Sequence, residues 1–375
     1  LHSCQSRNKK EDVLFSMENI TRANLQTITV EVEDFNFEDL GNFLEVTSYI
    51  QLTAEPLLAS IQEIQIKNEK IYIHDKFARI ICYDMQGKMI FKIDAKGAGP
   101  GEYTDVNTFV INEQSRELII YDNHKQSLLF YNADNGIFFK TQKLVKPDPT
   151  AMASLGGVYY YDNRYHSNYP NDTDLYYSLL VSKNAMTMDR HYFPHNDAES
   201  SYRFRPTRQP FSYNDSVLYY CRNFDNVIYE LNPDSLKALY KIMLPDPLPF
   251  SKIENKINGW ELVKSKYSLG LESIYKCNNL LYFQFSKDGF LQSALYDLIQ
   301  EKQIYCGKRL TDKVGKSVPI FQLIDGVYKG QFWGVLTPET IGYALSKEPK
   351  DYPDIFRKYD PDTDNPIIAF YKVVQ

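Results

Sequence analysis

Short apolar runs broken by Asp, Asn and Gly recur along this chain from about residue 46 onward. Ile71-Tyr72-Ile73-His74-Asp75 is followed by Ile80-Ile81-Cys82-Tyr83-Asp84 and then Gly87. The same order returns as Leu118-Ile119-Ile120-Tyr121-Asp122, Leu128-Leu129-Phe130-Tyr131-Asn132 and Gly136, with Asp122 lying 47 residues after Asp75. A repeat of that length, built from short β-type runs and turn residues, predicts propeller blades.

Blade one runs from about Ile61 to Asp94 and blade two from Phe109 to Leu144. Blade three carries Val158–Tyr161 and Tyr177–Val181. Blade four carries Val217–Tyr220, Val227–Leu231 and Leu239–Ile242. Leu280–Phe285, Ser293–Tyr296 and Gln303–Tyr305 form blade five, and Ile320–Leu323 with Gly330–Val335 form blade six. About 330 residues over six blades gives roughly 55 each, which suits four strands and their turns. Tyr49–Leu52 is a lone early strand. Propellers close by pairing such a strand with the last blade, so Ile367–Tyr371 is among its expected partners. The fold class is thus all-β, a six-bladed β-propeller with short helical insertions. Residues 1–45 read as a tether and irregular lead-in, and 46–375 as the propeller.

Two segments break the strand rhythm. After Asp246-Pro247-Leu248-Pro249, the residues Ile253, Ile257, Trp260, Leu262 and Val263 recur at helical spacing. Thr337-Pro338-Glu339 places a hydroxyl at a helix N-cap and Pro in the first turn, opening a helix through Leu345. A further helical turn covers Tyr352 to Lys358.

Composition agrees with an all-β chain. Aromatic content is 14%, with 30 Tyr and 22 Phe, residues that suit pleated, half-buried surfaces. The formal charge of −6 lacks the positive footprint that nucleic-acid binding needs. No apolar run is long enough for a transmembrane helix. Leu1-His2-Ser3-Cys4 has the shape of a bacterial lipobox, and the polar Gln5–Asp12 stretch after it reads as a tether, so Cys4 is the expected lipidation site. Cys82, Cys221, Cys277 and Cys306 show no metal or disulfide spacing and read as small buried hydrophobes.

Between blades one and two stands Gly97-Ala98-Gly99-Pro100-Gly101-Glu102-Tyr103, after the Tyr83-Asp84 and Gly87-Lys88 turn. This combination resembles the six-bladed β-propeller lipoproteins of Bacteroidetes, relatives of the NHL-type propellers. Asn365-Pro366-Ile367-Ile368 is similar to that family's closing segment. The resemblance covers about residues 46–375 and implies the fold and an exported, lipid-anchored location in the cell envelope, at the outer membrane and periplasmic or surface-facing. It supplies no catalytic residues. A phosphate-loop reading of the glycine string fails, because a strand rather than a helix N-terminus follows it. It reads as a tight turn in which glycines supply positive φ and Glu102 bonds nearby amides.

The turns after the strong strand of each repeat should share one face. Together with the glycine loop they give a candidate ligand-binding set of Asp75, Arg79, Gly99, Glu102, Tyr103, Asp122, His124, Arg164 and Arg222. His191 and His195 are the one close histidine pair, with Asp189 and Asp197 nearby, but Pro194 disfavours a zinc helix. A central ion would need acids or histidines from several innermost strands, and those strands read as mostly apolar. No metal or other cofactor is assigned. Trp260 and Trp333 are expected to pack inside. Catalytic motifs are absent, so the expected function is a binding or interaction scaffold for a glycan, a peptide or a protein. The membrane would be reached only through the lipid. The alternative is a metal-dependent propeller hydrolase or lyase working at the channel mouth.

Overall fold

The computed structural model describes residues 20–33, 38–39, 44–163, 176–195, 207–214, 216–255, 258–308, 310–314, 318–321, 324–346 and 353–373. Within the lead-in lie β1 (Ile20–Thr21), β2 (Gln26–Thr29) and β3 (Glu38–Asp39), followed by β4 (Leu44–Gln51). Blade one is β5 (Ile61–Lys67), β6 (Lys70–Asp75), β7 (Ile80–Asp84) and β8 (Met89–Ile93). Blade two is β9 (Thr108–Asn112), β10 (Glu117–Asp122), β11 (Ser127–Asn132) and β12 (Phe138–Lys143). Blade three is β13 (Pro149–Leu155), β14 (Val158–Asn163), β15 (Tyr177–Ser182) and β16 (Arg190–Pro194). Blade four is β17 (Phe211–Asn214), β18 (Val217–Cys221), β19 (Val227–Asn232) and β20 (Ser235–Met243). Helices α1 (Phe250–Glu254) and α2 (Gly259–Val263) lead into blade five, which is β21 (Leu271–Cys277), β22 (Leu280–Lys287), β23 (Phe290–Asp297) and β24 (Lys302–Gly307). A hairpin of β25 (Leu310–Val314) and β26 (Val318–Phe321) precedes blade six, where β27 (Gly326–Tyr328) and β28 (Gln331–Leu336) are joined to β29 (Ile367–Val373) through α3 (Pro338–Leu345) and α4 (Asp354–Arg357).

Each blade is an antiparallel sheet with its first strand innermost, and blade six takes its outer strand from the other end of the chain. Residues Ile367–Val373 pair with Gln51–Leu44, closing the ring as expected. Ile320 lies in β26, which pairs with β25 and stands apart from blade six, so the first strand of that blade is β27 instead. Within the lead-in, β1 and β2 run parallel along the outer strand of blade four. Val30 then donates to Met243, and Glu33 to Cys306 on blade five.

The core is six layers rather than one. Each apolar cluster fills one seam between neighbouring blades; Tyr72, Cys82, Phe109, Ile120 and Leu129, for example, fill the seam between blades one and two. Among the described residues, ten of the twelve largest fully buried side chains are tyrosines, which accounts for much of their abundance. A tyrosine ring is wide enough to span a seam, and its hydroxyl can satisfy a carbonyl on the far side. Tyr72 donates to the Ala133 carbonyl at 2.8 Å, Tyr103 to Ala78 at 2.7 Å, and Tyr131 to Gly101 at 2.7 Å. Cys82, Cys221, Cys277 and Cys306 are buried thiols, with Cys277 and Cys306 on the non-adjacent strands β21 and β24.

The repeated aspartate of the sequence is a latch. Asp75 Oδ1 accepts the Phe77 and Arg79 amides of its own turn, and Oδ2 accepts the Ala59 amide of the connection entering the blade. Asp122 accepts the amides of His124 and Lys125 and, at 2.6 Å, that of Thr104. In blade three Asn163 accepts the Asp148 amide, and in blade four Asn223 accepts Thr207. Four successive blades thus clamp the incoming segment to the end of their second strand or the residues just after it.

Burial pushes the Asp75 carboxyl up, but bonds from Arg79 and the amides of Ala59 and Arg79 outweigh it and hold its pKa below the ordinary range. The latch therefore stabilises fully above that range and is lost as pH falls through it. Asp122→Ala is expected to cost about 1–3 kcal/mol by orphaning buried amides. Asp75→Ala should cost more, because Arg79 also loses its partner. Urea midpoints check this; shifts within ~0.5 kcal/mol, ordinary for surface positions, would contradict the latch. Gly87→Ala should destabilise comparably, since Gly87 has φ +79° and a Cβ there would lie 2.0 Å from the Gln51 carbonyl of the closing strand.

Candidate functional site

Antiparallel order puts the turns between second and third strands on the same face as the connections between blades. That mouth face carries the turns holding Asp75, Arg79, Asp122, His124 and Arg222, together with the Gly97–Tyr103 loop. Arg164 and Cys4 lie outside the described residues. Asp75, Asp122 and Tyr103 are buried, and their polar atoms are engaged within the fold. Arg79 is bound to Asp75 and to the Leu57 carbonyl. Glu102 accepts the Gly99 amide at 2.7 Å, while Lys125 holds the Gly97 and Glu102 carbonyls, so the glycine loop is a braced turn. The Arg222 guanidinium lies 5.8 Å from the Phe193 ring centroid. Of the predicted residues that are described, only His124 lines the central channel.

That channel is where all six blades converge. It holds a cavity of 390 Å³ bordered by β5, β9, β13, β17, β21 and the start of β27. A second cavity of 630 Å³ opens on the mouth face beside Thr337 and Glu339, and it shares Gln62, Glu63, Gln209 and Asp325 with the first. The innermost strand of blade one is not apolar, contrary to expectation, whereas β9 is Thr-Phe-Val-Ile-Asn and largely is. On β5 the side chains of Glu63, Gln65 and Lys67 alternate toward blade two. Glu63 accepts from Gln65 Nε2 at 2.8 Å and from Thr108 Oγ1 at 3.2 Å. Gln65 Nε2 also reaches the Phe109 carbonyl. At the far end Lys67 crosses the channel to within 3.4 Å of the Tyr213 ring centroid and pairs with Glu113. Tyr213 in turn accepts the Ser154 amide at 2.9 Å, so four blades meet there.

Two carboxyls border the mouth while sitting deep among protein atoms. Burial raises the Glu63 pKa to about 7 despite its bonds from Gln65, Phe109 and Thr108. Burial does the same for Asp325, whose one opposing influence is the Val335 amide donating at 2.8 Å. Desolvation also holds the His74 imidazole neutral by lowering its pKa, against the pull of Asp105 and Asp75. Among the described residues, two buried polar atoms on the channel wall have no protein partner: Gln65 Oε1 and Ser212 Oγ, the latter on a residue only 3% exposed.

Exposed aromatics ring the same face. Trp260, expected inside, stands 72% exposed on α2, because this short helix buries only Leu262. Phe77, Phe250, Phe290 and Tyr343 are also exposed and belong to mouth-face connections. Trp333 is buried against Gly326 as expected. His191 leans on the Tyr177 ring, and His195 Nδ1 lies 3.3 Å from Ser178 Oγ. Among the described residues no three His, Cys, Asp or Glu side chains group so as to hold a metal ion. Nor is any helix among them long and apolar enough to cross a membrane.

Sequence reasoning missed Glu63, Gln65, Arg208, Gln209, Ser212 and Asp325. A signal existed for the first two in the alternation of Ile61-Gln62-Glu63-Ile64-Gln65-Ile66-Lys67, a strand with one polar face. Asp325 and Arg208 lie outside regular strands, and no local pattern marks them.

Residues 25–372 match the model of a family described as a domain of unknown function, DUF4934, and the chain belongs to that family. Among curated proteins, none matches the chain. A protein of Bacteroides fragilis described as a putative exported protein is similar in structure at 16% identity and TM-score 0.75, over 94% of this chain and all of that one (100%). A member of the DUF4221 family from Bacteroides vulgatus is similar at 10% identity and TM-score 0.51, over 88% of this chain and 98% of its own. At these identities the likeness shows the fold alone.

The raised carboxyls have a readable consequence. A carboxyl whose pKa moves from the ordinary 4.5 to about 7 on folding leaves stability untouched below 4.5 and lowers it as pH rises toward 7. Glu63 should cost on the order of 3 kcal/mol across that window, and Asp325, whose rise starts from the ordinary 3.8, on the order of 4 kcal/mol. His74 acts in the opposite sense, its neutral burial favouring folding as pH rises toward the ordinary imidazole value, and the Asp75 latch shares that direction at lower pH. The difference between wild type and variant isolates the effect. Glu63→Gln and Asp325→Asn should each flatten that decline, so that the variant gains stability relative to wild type between pH 4.5 and 7. Urea unfolding at half-unit pH steps measures it; parallel curves would show that the carboxyls are ordinary.

Proposed function

We propose that this member of the DUF4934 family is an exported, lipid-anchored binding protein that takes a small hydroxyl-rich ligand, a saccharide, in the mouth of its central channel. The observation that carries this reading is the pair of orphaned polar atoms, Gln65 Oε1 and Ser212 Oγ, on the wall of the 390 Å³ cavity. Buried polar atoms without partners are costly, and native proteins keep few of them except where something else supplies the bond. The cavity falls in the size range of small-ligand sites. Its amides, hydroxyls and near-neutral carboxyls can both donate to and accept from a polyol. Exposed rings such as Trp260 add faces on which a sugar could stack. Export is supported by the described nature of the Bacteroides fragilis neighbour and by the lipobox-like Leu1–Cys4.

A saccharide array with the purified propeller tests the reading, followed by calorimetry on the best hit. Ser212→Ala is expected to leave the unfolding midpoint unchanged or higher, because no protein bond is lost, and to weaken the ligand by roughly 5–10-fold. A folded protein that binds no saccharide, or a hit indifferent to Ser212 and Gln65, would overturn the site. For the anchor, the natural precursor expressed in its host should partition into the detergent phase, and Cys4→Ala should move it to the aqueous phase. Equal partitioning of the two would reject lipidation.

A further inference from the structure

We propose that Arg208 and Gln209 form a preset clamp for a carboxylate at the channel mouth, so that the ligand is an acidic saccharide bearing a uronate group. This rests on the channel-mouth reading above and deepens it. The two residues stand just before β17, and both line the channel cavity. Their backbone amides both donate to the Glu272 carbonyl on β21, at 2.9 and 3.2 Å. The Arg208 side chain is then held at one end by an ion pair: Nε lies 2.9 Å from Glu272 Oε2. Glu272 is itself buried, with its other oxygen taken by the Ser286 hydroxyl. It sits where the pairing of β21 with β22 shifts register, between Leu271 and Ser273. Such irregularities re-aim side chains beside binding sites.

What is left over is a directed set of donors. Arg208 is 65% exposed along its side chain despite that anchor, and its two terminal amino groups have no partner among the described residues. Gln209 Oε1 accepts the Tyr275 hydroxyl at 2.5 Å, which orients the amide and leaves Nε2 free. Two consecutive residues are thus each pinned at one atom by a buried group, and each presents unpaired N–H groups to the same cavity. An ion pair with one partner largely in water adds little to stability, so burying a carboxylate to hold this arginine makes sense as preorganisation. A guanidinium edge matches a carboxylate with two parallel bonds. The remaining wall offers acceptors and hydroxyl-compatible groups at Gln65, Ser212, Glu63 and Asp325, so the complementary molecule carries hydroxyls and a carboxylate together. A uronic acid does.

Calorimetry with digalacturonate and with the neutral galactose disaccharide, at low ionic strength, tests the clamp. Wild type is expected to favour the acidic sugar by at least about tenfold. Arg208→Gln should abolish that preference, bringing the affinity for the acidic sugar down to that for the neutral one in a protein that still folds. Arg208→Lys should restore only a small part, since an ammonium lacks the fork. Glu272→Gln should reduce the preference by loosening Arg208. Equal affinity of wild type for both sugars, or a preference that survives Arg208→Gln, would overturn the clamp yet leave the saccharide site standing. Failure of the wild type to bind either sugar, with the fold intact, would overturn the clamp and the underlying site together.

Discussion

Closure of the ring is the constraint on which the rest of this molecule depends. Six twisted sheets each bury both faces against neighbours, and the series ends in two open faces unless the last blade meets the first. The pairing of β4 with β29 makes that join and seals Ile50, Ile71, Ile73, Tyr83, Trp333 and Phe370 in one seam. The joint is tight enough that Gly87 has room for no side chain beside the Gln51 carbonyl. Asn365, just before β29, accepts the Leu58 amide and donates to the carbonyls of Thr53 and Pro56. It therefore fixes the connection into blade one, whose Ala59 amide the Asp75 latch then takes. Closure also places Glu63 of blade one and Asp325 of blade six at one mouth, so the site exists only in the closed ring.

Much of the fold was legible because the second and third strands of each blade are buried on both faces. Such strands read as continuous apolar runs, and Ile71–Asp75 or Leu118–Asp122 need no context to be recognised. The innermost strands escaped because they face a polar channel on one side and a seam on the other. Their alternation, as in Ile61–Lys67, is weaker than the solid run after it. Blade six was misjudged for a related reason. Its innermost strand is only Gly326–Tyr328, too short to register, and the more apolar Ile320–Phe321 drew the assignment although it belongs to a separate hairpin. Trp260 shows the limit of periodicity: helical spacing was present, yet α2 lasts five residues and turns that ring outward.

The site was less legible, and the reason is physical. Residues that recur at the same place in every blade answer a need that recurs in every blade, which is to clamp a turn to the segment entering from its neighbour. Asp75 and Asp122 were prominent in the sequence for that reason, and for that reason their carboxylates are occupied. A ligand site at the axis has the opposite logic. It is assembled once, from whichever residue each blade presents inward, and so it breaks the repeat. Glu63, Arg208 and Asp325 are not part of the sequence repeat that Asp75 and Asp122 mark. Departure from the repeat at an inward-facing position is thus the more useful sequence signal in a propeller than the repeat itself.

The chemistry of the mouth follows from the same geometry. Converging strands exclude water from Glu63 and Asp325, and desolvation without a nearby cation drives both toward the neutral form. Arg208 stands in the opposite condition, its charge held partly in solvent by the buried Glu272. Each arrangement costs the fold something and returns no packing. Neutral carboxyls can donate and accept within one small space, whereas the fixed guanidinium can only donate, and only to an anion. A cavity that combines the two is unsuited to a cation and poorly matched to an apolar molecule. The proposed ligand, polar throughout and negatively charged at one end, matches that combination.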